Sequence, residues 1–271
     1  MTSIVAVAFP KGGTGKSTVS ANLAAAAAKR GFRPLLIDLD PQGSSSLLSG
    51  FDKSKIELAN SAGAMFRDEA ARPSDLAVPT KYGYDIVPAC GSMIEAEAWL
   101  NRASLGIPRL RLLFNRDTEM HEKYNFIIVD TIGAKQTKLL DATLLACSDI
   151  VIPLRASALS TSELPDFVEM IKLFSENRVG MGDKALKVRG IVVNAVKANT
   201  NSSAANVQEV TDAVEYLNKV GGYTDVKVCV VPDAIAVEEA ATANMPVSFS
   251  RPQSKVALRY HELFAELFPA N

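Results

Sequence analysis

The sequence predicts a doubly wound α/β fold in which a mostly parallel sheet carries helices on both faces. Short apolar runs rich in Val and Ile alternate with longer segments of helical periodicity along the chain. The runs are apolar at consecutive positions, which indicates strands that are buried on both faces. Strands of this kind alternating with helices are typical of parallel sheets covered by two helical layers.

The elements are predicted in a regular order. The first strand covers residues 4–9 and the first helix covers residues 16–30, where a run of alanines has high helix propensity and Gly31 ends the helix. Further strands are predicted at 34–39, 84–87, 126–130, 150–154, 188–193 and 226–231. Further helices are predicted at 92–103, 135–147, 160–176, 203–220 and 235–244.

A final segment, residues 254–268, is predicted to be a helix docked on the core. Its apolar residues are Val256, Leu258, Leu263, Phe264 and Leu267. Residues 44–54 are the most loop-like early stretch and 194–203 the most polar late one, and neither is long enough to separate domains. We therefore expect a single domain over residues 1–271.

Composition excludes several classes of protein. The 271 residues include 29 basic and 30 acidic side chains, 48% are hydrophobic and 22% are charged, so disordered, collagen-like and coiled-coil chains are excluded. The three cysteines form no CxxC pair, which excludes a disulfide scaffold and favours a reducing compartment. We find no signal peptide and no apolar stretch of membrane-spanning length, so we expect a cytoplasmic protein without stable membrane insertion. The net charge of −1 argues against a generally basic nucleic-acid binder, although a local patch remains open.

A glycine-rich loop follows the first strand and leads into the first helix. Its residues are Lys11, Gly12, Gly13, Thr14, Gly15, Lys16, Ser17 and Thr18. Glycines let backbone N–H groups approach phosphate oxygens, and a helix N-terminus favours negative charge. Lys16 would contact the β- and γ-phosphates of a nucleotide, and the Ser17 hydroxyl would contact Mg²⁺. The strict phosphate-loop pattern requires a glycine where this chain has Pro10.

The segment KGGTGKST resembles the deviant Walker A motif of the ParA/MinD family of ATPases. In that family the early lysine, here Lys11, reaches across an ATP-sandwich homodimer to the phosphates of the partner. A second cation there would neutralise charge that develops on the transferring phosphoryl group. The resemblance implies a P-loop NTPase fold, ATP or ADP with Mg²⁺ as ligands, and slow hydrolysis to ADP and phosphate. It spans nearly the whole chain, from Ile4 to about Leu267, and begins directly at the phosphate loop, as in the shorter ParA-type partition proteins.

Aspartates at the ends of two predicted strands resemble elements of the ParA/MinD family. The segment DLDPQG, which contains Asp38 and Asp40, resembles the DxDPQ element, in which Asp40 would orient the attacking water and contact the outer shell of Mg²⁺. A later apolar strand ends in Asp130, which would bind a Mg²⁺-coordinated water as a Walker B aspartate does. The three acids would thus surround the metal. The family typically continues Asp-Thr-Pro-Pro, whereas this chain has Ile132 and Gly133, a difference that bears on coupling because proline fixes φ.

The resemblance also predicts contacts to the base. Asn194 stands at a strand end where the family recognises adenine, and an amide that both donates and accepts favours ATP over GTP. Pro232 and Asp233 follow the last strand and would contact the base. The family commonly has an arginine where this chain has Asp233, so a backbone contact remains possible there and a cationic role does not.

The resemblance further implies an ATP-dependent homodimer that binds DNA without sequence preference, associates with the nucleoid, and is activated by a ParB-like or other adaptor protein. Three clusters of cations are candidates for DNA contacts, and an ordinary solvated face is the alternative for each. They are Arg102, Arg109, Arg111 and Arg116; Lys184, Lys187 and Arg189; and Arg251, Lys255 and Arg259. Lys197 is the cation nearest to the place where the family often has an arginine, which Asn199 occupies.

Two functions follow as expectations. The first is partition of plasmid or chromosomal DNA, or positioning of another large cargo. The alternative is a nucleotide-switched recruitment module for a conjugation, secretion or membrane-associated partner, although the separate cationic C-terminal helix of MinD is missing. Iron–sulfur relatives such as nitrogenase reductase are excluded because Cys90 and Cys147 are not placed as cluster ligands. Salt-sensitive, ATP-dependent binding to random DNA separates the two functions.

Overall fold

The computed structural model describes residues 2–103, 106–135, 137–155, 163–196, 208, 210–212, 214–219 and 222–269. The described residues form one eight-stranded sheet. Its strands are β1 (Ser3–Val7), β2 (Pro34–Asp38), β3 (Val78–Pro79), β4 (Asp85–Val87), β5 (Phe126–Asp130), β6 (Asp149–Arg155), β7 (Lys187–Val196) and β8 (Lys227–Pro232). The order is β3-β4-β2-β5-β1-β6-β7-β8, and every neighbouring pair is parallel except β3 with β4. The predicted doubly wound α/β class is confirmed.

Helices alternate with these strands along the chain. They are α1 (Lys16–Lys29), α2 (Ser44–Leu48), α3 (Ala64–Arg67), α4 (Pro73–Leu76), α5 (Ser92–Arg102), α6 (Arg109–Arg116), α7 (Thr118–Lys123), α8 (Lys138–Ala146), α9 (Glu163–Gly180), α10 (Ile235–Thr242), α11 (Val247–Ser250) and α12 (Lys255–Leu267). Residues 208, 210–212 and 214–219 are also helical, within the predicted helix 203–220. The remainder of that helix, and residues 160–162 of the helix predicted at 160–176, lie outside the described residues.

The strands are buried on both faces, as their continuous apolar runs predict. In β1, Ala6 belongs to the hydrophobic core on one face of the sheet, and Val5 and Val7 belong to the core on the other. In β5, Ile127 and Ile128 divide in the same way. Because neighbouring side chains of a strand point to opposite faces, each strand must be apolar at successive positions to complete two cores.

The final helix docks on the core as predicted, with one error in its apolar face. Tyr260, Leu263 and Phe264 are completely or almost completely buried, whereas Leu258 is 47% exposed. The ring of Phe264 contacts that of Phe126 on β5 at a centroid distance of 5.1 Å. The helical rotation of 100° per residue places Leu258 away from the sheet, a fact that a list of apolar residues does not capture.

Several short elements were not predicted from the sequence. Residues 44–54 are not simply a loop, because α2 occupies the first part of that stretch. Helix α6 was missed because its apolar residues alternate with arginines, yet Leu110, Leu113 and Phe114 are buried. The two-residue strand β3 pairs antiparallel at the sheet edge and is too short to give a periodic signal.

The topology brings the candidate site residues to one edge of the sheet. The carboxyl ends of parallel strands lie at the same edge, and β1 lies between β5 and β6, where the direction of winding reverses. Ligands of doubly wound sheets bind at such a reversal. The residues that follow β1, β2, β5, β7 and β8 therefore meet around the loop between β1 and α1.

Candidate nucleotide site

The glycine-rich loop connects β1 to α1 in a conformation that requires glycine. Gly13 and Gly15 have φ angles of 73° and 88°, which L side chains rarely adopt. A Cβ atom at Gly15 would also lie 2.8 Å from the side-chain nitrogen of Asn194. Helix α1 begins at the next residue, Lys16. The loop thus presents backbone at the N-terminus of a long helix, which is the arrangement that binds phosphate.

The Lys16 side chain lies buried beneath this loop. It is 5% exposed, and its Nζ donates a 2.7 Å hydrogen bond to the carbonyl oxygen of Lys11. Burial lowers the pKa of the Lys16 ammonium group, and the carboxylates of Asp130 and Asp40 oppose that shift. A buried ammonium group with several donors is suited to phosphate oxygens.

Lys11 points toward an acidic residue that the sequence reasoning did not single out. Its Nζ lies 3.7 Å from Oε2 of Glu163, at the start of α9. Glu163 Oε1 lies 3.0 Å from the Nζ of Lys135. The pair joins residues 152 positions apart in the chain, so no local sequence pattern could have predicted it.

Two carboxylates stand side by side at the ends of β2 and β5. Asp38 and Asp130 are register partners, and both are completely buried. Burial raises the pKa of Asp38 to about 8, and the neighbouring Asp130 adds to this shift. Burial also raises the pKa of Asp130 to about 6, against hydrogen bonds from Ser45 and Ser17. Paired buried carboxylates favour a cationic ligand, because their ionised forms repel each other.

Serines at the start of α2 hold both carboxylates. The Ser46 backbone N and Oγ donate to Asp38 Oδ2 at 2.8 and 2.7 Å, and Ser45 Oγ donates to Asp130 Oδ2 at 2.5 Å. Both serines are completely buried, whereas Ser44 is exposed. Serine is common in loops, which led to the loop prediction, but here its hydroxyls satisfy buried acids. A run of three serines carries no sequence signal for this role.

Asp40 lies at the mouth of the cleft beside the phosphate loop. The cleft is also lined by Gly12, Lys16 and Ser17. The Asp40 carboxylate accepts a 2.8 Å hydrogen bond from the backbone N–H of Gln42, which fixes its turn. Unlike Asp38 and Asp130, Asp40 is partly exposed. It is therefore placed to contact a ligand in the cleft and solvent water.

The segment after β5 packs directly on the phosphate loop. Thr131 Oγ1 donates a 2.9 Å hydrogen bond to the carbonyl oxygen of Val7 on β1. A Cβ atom at Gly133 would lie 2.8 Å from Lys16 Nζ and 3.0 Å from Gly12 Cα. Glycine thus permits a backbone approach that any side chain would obstruct. Ile132 and Gly133, where the family typically has two prolines, line the same cleft as Asp40.

The side-chain oxygens around this cleft could bind Mg²⁺ only together with the phosphates of a nucleotide. In the described part of the chain, no group of three or more His, Cys, Asp or Glu side chains is arranged to hold a metal ion. Ser17 and Asp40 line the cleft, and the Ser17 side chain hydrogen bonds to Asp130. Mg²⁺ commonly binds through one or two protein oxygens, nucleotide phosphates and retained waters. Ser17, Asp40 and Asp130 offer only oxygen ligands, which matches this mode of Mg²⁺ binding.

A second cleft adjoins the first at Gly13, Gly15 and Thr18. Its further lining includes Arg155, Asn194, Pro232, Asp233, Glu238 and Tyr260. Asn194 Nδ2 donates a 2.9 Å hydrogen bond to the carbonyl oxygen of Thr14, and its buried Oδ1 has no hydrogen-bond partner among the residues described. A buried acceptor without a partner is costly and points to a ligand that donates to it.

Comparisons with known proteins agree with this geometry. The sequence profile of a family described as an AAA domain matches residues 2–185. The chain belongs to the ParA/MinD family of deviant Walker A ATPases. The sporulation initiation inhibitor protein Soj of Bacillus subtilis is 26% identical over 98% of this chain and 98% of its own length. The chromosome partitioning protein ParA of Myxococcus xanthus is 27% identical over 97% of this chain and 87% of its own length.

The fold is also similar to that of an enzyme whose structure was solved with a bound nucleotide. Cobyrinic acid a,c-diamide synthase from Mycobacterium smegmatis, with bound ATP analogue and magnesium, has a TM-score of 0.76 at 24% identity. The match covers 97% of this chain and 93% of that one. The ParA/MinD fold of this chain is thus shared with a protein that binds ATP analogue and magnesium.

The cation clusters that a ParA/MinD protein could offer to DNA are largely engaged within the chain. Arg109 is buried and donates to the carbonyl oxygens of Met65 and Asp68. The prediction that it belongs to a surface cluster is therefore wrong. Four further arginines form ion pairs at 3.1 Å or less. They are Arg111 with Asp183, Arg189 with Asp149, Arg251 with Glu239, and Arg259 with Glu266. Lys197 and Asn199 lie outside the described residues.

Within the part of the chain that the structure describes, no helix is both long enough and apolar enough to cross a membrane. The apolar face of α12 is directed inward rather than to a bilayer. Val256, Tyr260 and Phe264 on this helix are buried in the core that α1 shares.

Proposed function

We propose that this chain is a ParA-like ATPase that forms an ATP-sandwich dimer, binds DNA without sequence preference, and hydrolyses ATP to partition DNA or position another large cargo. The observation that carries the proposal is the convergence of Lys16, Ser17 and Asp40 on one cleft, with Asp130 hydrogen bonded to Ser17 at its floor. Cation, hydroxyl and carboxylate are the groups that phosphoryl transfer to water requires.

The proposed hydrolysis assigns a separate task to each side chain. Lys16 binds the β- and γ-phosphates and loses its present bond to the Lys11 carbonyl oxygen. Ser17 and Asp130 would help to hold Mg²⁺, which would supply neutralising charge to the phosphates. Asp40 orients the attacking water, because it is the partly exposed carboxylate of the cleft.

Asn194 supports ATP over GTP as the nucleotide. Its Nδ2 donates to the Thr14 carbonyl oxygen, and its buried Oδ1, which like any amide oxygen is an acceptor, is open to a donor from the base. Adenine carries an amino group that can donate to this oxygen, whereas guanine carries a carbonyl oxygen at the same place. Pro232 and Asp233 line the same cleft and would also contact the base.

Dimerisation would bring a second cation to the phosphates. Lys11 is 31% exposed and does not line either cleft of its own protomer. The predicted role, contact with the partner's phosphates, is consistent with that placement. A cation from each protomer would then stabilise charge on the nucleotide of the other.

A recruitment module is the second candidate function. It is favoured by the arginines of the proposed DNA-binding clusters that are paired with carboxylates of the same chain. A carboxylate beside an arginine lowers the net positive charge that the arginine presents to a DNA phosphate. In the alternative, the ATP-bound dimer would recruit a conjugation, secretion or membrane-associated protein. Both proposals include a homodimer and an activating adaptor, and they differ in whether the dimer binds DNA.

The test measures DNA binding by the Asp40→Ala variant with ATP over a salt series. The variant should retain ATP, accumulate as a dimer, and bind random DNA with an affinity that falls steeply as salt rises. Asp166→Ala, an exposed acid on α9, serves as the control and should turn over ATP at the wild-type rate. A stable dimer without DNA affinity would select the recruitment module. Wild-type hydrolysis by Asp40→Ala would contradict the role given to Asp40 in both.

A further inference from the structure

The hydroxyls of two consecutive serines on helix α2 donate hydrogen bonds to aspartates at the ends of two strands. Ser46 donates to Asp38 at the end of β2, and Ser45 donates to Asp130 at the end of β5. Both serines are completely buried. Hydrogen bonds to carboxylates in a buried setting are stronger than those between neutral groups. The position of α2 therefore depends on both carboxylates.

Helix α2 also directly follows the short segment, residues 39–43, that contains Asp40. The backbone N–H of Gly43, directly before α2, donates to the Asp40 carbonyl oxygen at 2.8 Å. At the other end of the segment, the Asp40 N–H donates to Asp38 Oδ1 at 3.0 Å. The segment is short and bonded at both ends, so a displacement of α2 moves Asp40.

Asp130 accepts hydrogen bonds from side chains of both α1 and α2, and Ser17 on α1 is one of the donors. Ser20 on α1 donates to its Oδ1 at 3.1 Å, and Ser45 on α2 donates to its Oδ2. Asp38, in contrast, accepts from the segment that follows its own strand. Ser45 is thus the side chain that links the carboxylate beside the proposed metal to the segment of Asp40.

We propose that Ser45 is a positioning residue that couples cation binding beside Asp130 to the position of Asp40. The proposal rests on the proposed function, which places Mg²⁺ next to Asp130. A carboxylate oxygen has few lone-pair directions, so a cation held beside Asp130 would compete with Ser45 for this carboxylate. Helix α2 then shifts with Ser45. Asp40 reaches the position in which it orients the attacking water when nucleotide and metal are both bound.

The test compares hydrogen exchange of backbone amides 40–48 with and without Mg²⁺, in the presence of a non-hydrolysable ATP analogue. Wild-type protein should show a Mg²⁺-dependent change of about tenfold in exchange rate, the scale of one hydrogen bond to a charged group. Ser45→Ala should lose this change, with analogue affinity within about threefold of wild type because Ser45 lines neither cleft.

Two serine variants serve as controls. Ser20→Ala removes a different donor to Asp130, on α1 and equally buried, so backbone amides within residues 40–48 should still respond to Mg²⁺. Ser54→Ala removes an exposed hydroxyl that lines neither cleft and should behave as wild type. If Ser45→Ala does not fold, Ser45→Cys takes its place, since a thiol has similar shape and donates weakly.

The inference is overturned if Ser45→Ala keeps the response, if Ser20→Ala loses it equally, or if wild-type amides do not respond to Mg²⁺. These measurements need no turnover. A protein that binds the analogue and shows the Ser45-dependent response, yet neither hydrolyses ATP nor dimerises, would refute the proposed function and leave the coupling intact.

Discussion

Lys16 is a buried ammonium group on α1, and the carboxylates that oppose the lowering of its pKa are Asp130, at the end of β5, and Asp40, just after β2. Replacement by alanine removes the donor that the loop holds beneath its backbone. We expect Lys16→Ala to weaken ATP binding by about a hundredfold or more, because several charge-assisted hydrogen bonds are lost together. Titration with a fluorescent ATP analogue measures this.

The exposed Lys55, paired only loosely with Asp52 at 3.7 Å, provides the control for charge. Lys55→Ala should bind ATP as wild type does. Near-normal affinity in Lys16→Ala, with the protein folded, would refute the phosphate-loop assignment.

Individual residues differ in how far the sequence could predict them. Lys16 and Asp40 lie in contiguous motifs whose spacing determines their place relative to a strand end, so both were found. Ser45 and Glu163 act through partners far away in the chain, Asp130 and Lys11. Their roles arise when the sheet brings those segments together, and one sequence holds no record of that proximity.

Among the elements, α12 offers the clearest test of packing. Phe264 is fully buried against Phe126, and Leu258 on the same helix is 47% exposed. Phe264→Ala should lower the free energy of unfolding by about 3–5 kcal/mol, through lost burial and the cavity that remains. Leu258→Ala should change it by about 0.5 kcal/mol or less. Urea denaturation of both variants measures the difference, and equal losses would contradict the docked orientation of α12.

The long elements were predictable because burial on both faces imposes a continuous apolar pattern on each strand. The short ones were not. In α6, the arginines that interrupt the apolar pattern include the buried Arg109, which bonds to backbone carbonyls of α3 and its neighbour. A charge on a sequence does not reveal whether its partner is solvent, DNA or the protein itself.

At the scale of the whole molecule, the buried acids make stability depend on pH. The pKa of Asp38 is raised to about 8 by burial and by Asp130, against about 3.9 in an unfolded chain. Between these values the unfolded state releases a proton that the folded state keeps, so stability falls as pH rises. The Tm of the nucleotide-free protein should therefore decline by several degrees from pH 5 to pH 8.

Asp38→Asn, which keeps one of the two acceptor oxygens and cannot ionise, is the reference for this measurement. Its Tm should fall less than that of the wild type over the same pH range, because titrations away from the Asp38–Asp130 pair are common to both proteins. Parallel Tm curves would show that Asp38 does not keep its proton in the folded state.

The close approach of Gly133 to the phosphate loop limits how this protein can be redesigned. Consensus engineering would restore the proline pair that relatives typically carry after the strand-ending aspartate. Here a proline ring at Gly133 would occupy the space of Lys16 Nζ and the Gly12 backbone. The two segments would have to separate, and the ammonium group would move with them. Residues borrowed from relatives at this position therefore require a matching change in the loop they face.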